Sequence, residues 1–460
     1  MKRIHFATLA GLIALGWCIG ASAAQEPYKR SFVSLAPGVP GLLYEPVIPG
    51  LKAQIAIVAM HNRADYLTSN PSVPCAQLAQ RGYRALCANT STSKSGFVAD
   101  DNIDKMLLNV KAAVAYLRSY PGVTRVVLFG HSGGGALMAA YQNIAENGVA
   151  ACQGAEKLIK CPDTLGGMPA ADGLMLIDST FGESMSLLHL DPSIVDEGSG
   201  QNIDSQLDMY NPANGFGSQG AHYSEQFKMR FLSAQRQRMD RLIAKAQQRL
   251  AKIAAGSGNY ADDEPLIIPG YSTRGGKLFA TDLGLWSHTR RAWPLLHPDG
   301  SVTTEIVRSV RVPTFLTSTT PSYANGSLTT TVRTFLGTMA MRASAAYDYD
   351  ASSIRGIDYN SSYENTVNSV EGITKPLLQM GMTGSFEYFM AETVREHARS
   401  ADKTLAYVEG AVHGFTPCTQ CALARGLPAD HYGDTVKTLF DYIDAWLSKA
   451  GRFTGTSQGE

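Results

Sequence analysis

Charge is scarce in this sequence. Asp, Glu, Lys and Arg make up 17% of its 460 residues, below the ~25% of an average globular chain. The 40 basic and 40 acidic residues cancel, so no net field favours nucleic acid as a partner. Long apolar runs are missing too: beyond the first two dozen residues nothing approaches the ~18 consecutive apolar residues of a membrane span. A Walker-type phosphate loop, a convincing dinucleotide fingerprint and zinc-type His/Cys spacing are also absent, so no cofactor and no metal are implied. What is present excludes disorder: 44% apolar and 9% aromatic residues can bury a sizeable core. The length alone would suggest about three domains, although large α/β enzymes exceed that figure as single cores. No internal repeat or low-complexity tract interrupts the chain.

The first residues have the build of an export signal. Lys2 and Arg3 precede an uncharged stretch, Phe6 to Gly20, and Ala21-Ser22-Ala23 supplies small residues for cleavage. The expectation is cleavage after Ala23 and a secreted or periplasmic protein. Six cysteines remain: Cys75, Cys87, Cys152, Cys161, Cys418 and Cys421. Sequence alone does not choose among their pairings, but three close couples favour 75–87, 152–161 and 418–421 in an oxidising compartment. Cys418-Thr419-Gln420-Cys421 also suits a redox pair or half of a zinc site. With no second CxxC and no evident thioredoxin-like helix, a structural disulfide is preferred.

Periodicity divides the chain into three parts. Strands are expected at 31–35, 42–45, 53–60, 83–88, 124–130 and 173–178, with helices at 74–81 and 101–120. In the second helix apolar residues recur at 103, 106, 107, 110, 113, 114 and 117. Continuous apolar strands alternating with helices predict a parallel sheet covered on both faces. The alternation stops from about 181 to 371, where one helix, 224–255, is evident. It is rich in Lys and Arg, a solvated face or a contact for an acidic surface. Strands at 376–381 and 404–409 and helices at 387–401 and 431–450 then resume the pattern. The expected organisation is 24–180 and 372–460 as one α/β core, with 181–371 inserted.

The chemistry centres on Gly130-His131-Ser132-Gly133-Gly134. The G-x-S-x-G match is weak alone, but an apolar strand precedes it and a helix opens directly after it, the context of a nucleophile elbow. A serine needs an adjacent base to be nucleophilic. His413, in a loop just past the last expected strand, is the candidate, whereas His61 and His131 are expected to pack loops.

With these motifs in place, the chain resembles the α/β-hydrolase fold superfamily over about 28–180 and 372–450. The resemblance implies a doubly wound, mostly parallel sheet, with the insertion, mainly helical or irregular, as a lid. It implies the order nucleophile, acid, histidine, with Ser132 first and His413 last. The acid is expected soon after the 376–381 strand, so Glu387 comes first, Glu392 second and Asp178 third. The oxyanion donors implied are the backbone N–H groups of Gly133 and Asn62, with Arg63 as the alternative.

The function expected is hydrolysis of a small-molecule or polymeric carboxylic ester through an acyl-enzyme. Amide or peptide cleavage and lactone or polyester hydrolysis would use the same residues. A non-catalytic binding module is the reading from a different class, although it would have no use for both Ser132 and His413.

Overall fold

The computed structural model describes residues 26–67, 74–92, 101–271, 275–318 and 327–454. The expected leader and its cleavage site lie outside the described residues. Fourteen strands are present among the described residues. They are β1 (Tyr28–Ala36), β2 (Val39–Pro46), β3 (Ile55–His61), β4 (Arg84–Asn89), β5 (Arg125–His131), β6 (Gly173–Ile177) and β7 (Pro265–Pro269), followed by β8 (His288–Leu296), β9 (Val302–Arg308), β10 (Ser327–Thr331), β11 (Arg342–Tyr349), β12 (Ile354–Asp358), β13 (Leu377–Met382) and β14 (Lys403–Val408). Ten of them form one sheet in the order β1-β2-β4-β3-β5-β6-β13-β14-β8-β9. The pairs from β4 through β8 are parallel, and the two edges are antiparallel.

The centre of the sheet is buried because its strands are apolar on both faces. In β3, Ala56, Val58 and Met60 pack with the helices Ile103–Ser119 and Gly133–Asn147. The alternate residues Ile55, Ile57 and Ala59 pack with the helices Pro74–Gln80 and Thr435–Leu447. The last helix buries Leu439, Phe440, Ile443 and Leu447 completely, each worth about 1.5–3 kcal/mol as an upper estimate. Phe440 stacks 6.3 Å from Phe129, directly beneath the strand that carries the serine turn. Disulfides join Cys75 to Cys87, Cys152 to Cys161 and Cys418 to Cys421.

The inserted segment is richer in strands than its sequence suggests. The β8–β9 hairpin adds to the main sheet, with β8 running parallel to β14 through Tyr407 opposite Leu295. Residues 181–371 are therefore partly core sheet and partly covering structure. The reason is edge chemistry: β14 exposes an unsatisfied edge, and a hairpin from the insertion supplies its hydrogen bonds. The pairs β7–β10 and β11–β12 make two small separate sheets. The expected long helix forms at Glu225–Ala254, and its bases are largely used inside the insertion. Arg238 is fully buried on Glu197 at 2.7 Å, Lys228 meets Glu225 at 2.9 Å, and Arg249 meets Glu264 at 2.6 Å. Trp286 is clamped between Phe279 at 3.7 Å and Phe389 at 4.6 Å, which anchors the insertion to the core.

Candidate active site

Ser132 stands between the end of β5 and the helix Gly133–Asn147 with φ 56° and ψ −132°. That conformation is strained for a residue with a side chain, at a cost of about 1–3 kcal/mol. The surroundings hold it there. A Cβ on Gly134 would lie 2.5 Å from the Met60 carbonyl oxygen, so only glycine lets the helix start against the end of β3. A Cβ on Gly133 would lie 2.7 Å from Asn62 Oδ1, which places Asn62 beside the helix start. The first backbone N–H groups of that helix lie at its positive end.

His413 follows β14 and is half-buried. Its Nδ1 lies 2.7 Å from Asp178 Oδ2 and 3.8 Å from Glu387 Oε2. Asp178 is wholly buried just past β6, with φ 44°, and its other oxygen accepts the Met382 N–H at 2.9 Å. Burial pushes the Asp178 carboxyl up, opposed by its hydrogen bond and attraction to His413. For His413, burial acts downward, but the Glu387 charge and then the Asp178 hydrogen bond and charge outweigh it and raise it to about 9. These three side chains put ligand atoms within 4.8 Å of one another, a spacing that a cation would also use. The strained Ser132 lines an adjoining cavity that also reaches Glu387.

The structure separates the three candidate carboxylates. Asp178, ranked third on sequence, is the one in hydrogen-bond contact with the imidazole. Glu387 borders the site at 3.8 Å and accepts the Ser385 hydroxyl proton. Glu392 does not reach His413: it is buried and accepts from Arg290 N, Arg291 N and Trp293 Nε1 at 2.8, 3.0 and 2.8 Å. Its work is to fasten β8 to the helix Tyr388–His397. The Arg63 N–H is also committed elsewhere, donating to His61 Nδ1 at 3.0 Å. Asn62 is buried, with its side-chain amide donating to Glu183 at 2.8 Å. His131 packs its ring 4.6 Å from that of His413, and its Nε2–H donates to the His413 carbonyl at 2.8 Å. It thus braces the backbone that presents His413.

Two cavities meet at Phe386 and Glu387. One, of about 160 Å³, reaches Ser132 and Gly133 and is walled by Met185, Leu188, Phe279 and Met390. The other, of about 350 Å³, reaches His413 and is walled by Val312, Val412 and Cys418. Glu183, His189 and Lys277 also line the first cavity. All three come from the insertion, whose sequence carries no motif that marks them.

A ten-stranded, mostly parallel sheet with a serine on the tight turn between β5 and its helix is the arrangement of the α/β-hydrolase fold. No protein-family model matches the chain, and no curated protein matches it. Solved structures similar to it include the siderophore hydrolase EstB from Aspergillus fumigatus, at 10% identity over 93% of this chain and 100% of that one, TM-score 0.44. Carboxyl esterase 2 from Tuber melanosporum is similar at 11% identity over 94% and 90%, TM-score 0.40. The esterase domain of a Rhodothermus marinus protein is similar at 11% identity over 91% and 97%, TM-score 0.38.

Proposed function

We propose that this protein is a serine hydrolase that cleaves carboxylic esters. The observation that carries the reading is the strained Ser132 on the wall of one cavity, with His413 bound to buried Asp178 at 2.7 Å on the wall of the adjoining one. In this reading Ser132 Oγ attacks the ester carbonyl carbon and its proton passes to His413 Nε2. The Gly133 and Asn62 N–H groups hold the oxyanion. The intermediate collapses, the alkoxide leaves with the proton from His413, and an acyl-Ser132 ester remains. Water, deprotonated by His413, then releases the acid and restores the serine. Asp178 keeps the proton on Nδ1 and stabilises the imidazolium. Glu387 acts as a second, outer carboxylate on the same imidazole.

The insertion supplies most of the walls around the smaller cavity and serves in this proposal as a lid. Three disulfides support export to an oxidising compartment. Among the described residues no helix is long and apolar enough to cross a membrane. The test is labelling of the folded protein with a fluorophosphonate, together with turnover of p-nitrophenyl butyrate. Ser132→Ala should abolish both, and His413→Ala should reduce both strongly. Labelling that persists in Ser132→Ala would refute the assignment.

A further inference from the structure

Lys277 is the one feature of the smaller cavity that ester cleavage leaves unexplained. Its side chain lies immediately before the short helix Leu278–Thr281, only 5% of the residue is exposed, and it lines the cavity that reaches Ser132. The ammonium sits 4.6 Å over the Phe386 ring and 5.9 Å from the Phe315 ring. Among the described residues it has no hydrogen bond and no ion pair. An ammonium has three donors and no acceptor, and a cation buried without a partner is costly.

The other charged groups on this cavity are already engaged. Glu183 lies 3.3 Å from Arg63 and accepts from Asn62. Glu387 is held by Ser385 beside His413. His189 is pulled well below its ordinary pKa by burial and by the nearby Lys277 and Arg63, which keeps it neutral. Burial likewise lowers Lys277 to about 8, although Glu387 and Glu183 act from a distance to raise it. A partner oxygen in the cavity would relieve that penalty.

The chemistry says which part of a substrate reaches it. His413 must hand a proton to the leaving alcohol, so the alcohol belongs in the cavity that reaches His413. The acyl group then lies in the cavity with Ser132 and Lys277. At about 160 Å³ that cavity is close in size to one of about 150 Å³ that holds a benzene ring, so the acyl arm is short.

We infer that the preferred substrate is an ester whose short acyl arm ends in a carboxylate, and that Lys277 binds this carboxylate. This rests on the serine-hydrolase reading. A charge-assisted hydrogen bond to a carboxylate in this desolvated site should be worth roughly a 10- to 100-fold preference.

The experiment compares three p-nitrophenyl esters on the full protein: the monoester of glutaric acid, the corresponding neutral terminal amide, and the butyrate. Wild type should hydrolyse the glutarate monoester about 10- to 100-fold better in kcat/KM than the amide. In Lys277→Met that ratio should fall to about one, and in Lys277→Arg most of it should persist. A wild-type ratio of one or less overturns the inference without help from any variant, so a misfolded Lys277→Met cannot shelter it. Butyrate turnover that depends on Ser132 would in that case leave the hydrolase reading standing. If no ester is turned over and no fluorophosphonate label is taken up, the hydrolase reading and the inference both fall.

Discussion

Asp178 and His413, 235 residues apart in the chain, meet in a 2.7 Å contact between Oδ2 and Nδ1. The contact pairs a fully buried carboxylate with a half-buried imidazole. Removing the carboxylate charge while keeping its shape should therefore free the imidazole to take the wrong tautomer. Asp178→Asn is expected to lower kcat by roughly 10⁴, as loss of the acid does in a serine triad. Glu392→Gln should leave kcat within about threefold, since its carboxylate serves β8. Steady-state kinetics on p-nitrophenyl butyrate distinguish the two, and equal losses would reject the assignment of Asp178.

The pH profile should report the second carboxylate. In the proposed mechanism His413 can act as a base only when neutral, and its pKa is raised to about 9. Activity should thus climb with pH and level off above about 9, the apparent value belonging to the Asp178–His413–Glu387 group as a whole. Glu387→Gln removes the largest influence that raises it, so the rising limb should move to lower pH. An unchanged limb in that variant would show that Glu387 does not act on the imidazole.

Glu392 carries a stability prediction. Glu392→Ala leaves three part-buried donors without their acceptor: Arg290 N, Arg291 N and Trp293 Nε1. Hydrogen bonds to charged groups are worth about 1.5–3 kcal/mol each, so thermal unfolding should shift down by several degrees. Fluorophosphonate labelling at low temperature should survive, which a triad member would not allow.

The elbow predicts its own intolerance. Gly134→Ala must push a methyl group to within 2.5 Å of the Met60 carbonyl oxygen, a backbone atom. Overpacking of that kind costs about 1–3 kcal/mol, and it should also displace Ser132. Calorimetry should record the lower melting temperature, and the labelling rate should fall with it. A variant as stable and as reactive as wild type would contradict the close packing.

The Cys75–Cys87 link closes a short loop, with a separation of 12, between the helix Pro74–Gln80 and β4. Its removal as Cys75→Ser with Cys87→Ser should cost about 2–4 kcal/mol by releasing the unfolded chain. Denaturant melts of the double variant against the parent check this, and an unshifted midpoint would show that the link contributes nothing.

Much of this molecule is legible locally. Apolar runs of four to eight residues between turn signals mark β3, β5, β6, β13 and β14, because a strand buried on both faces must be apolar throughout. The serine turn is legible because close helix–strand packing demands glycine at neighbouring positions, and that demand is written in adjacent residues. The cysteine couples are legible because their partners are near in sequence. Three matters are not local. Glu387, Glu392 and Asp178 are chemically alike, and only the backbone path decides which faces the imidazole: Glu392, one turn along its helix, points to β8 instead. The β8–β9 hairpin, partly exposed and polar, joins the sheet because the β14 edge is there to receive it. Lys277 has no surrounding motif at all. Its burial beside Phe386 depends on how the insertion folds back over the core, and no periodicity encodes that closure.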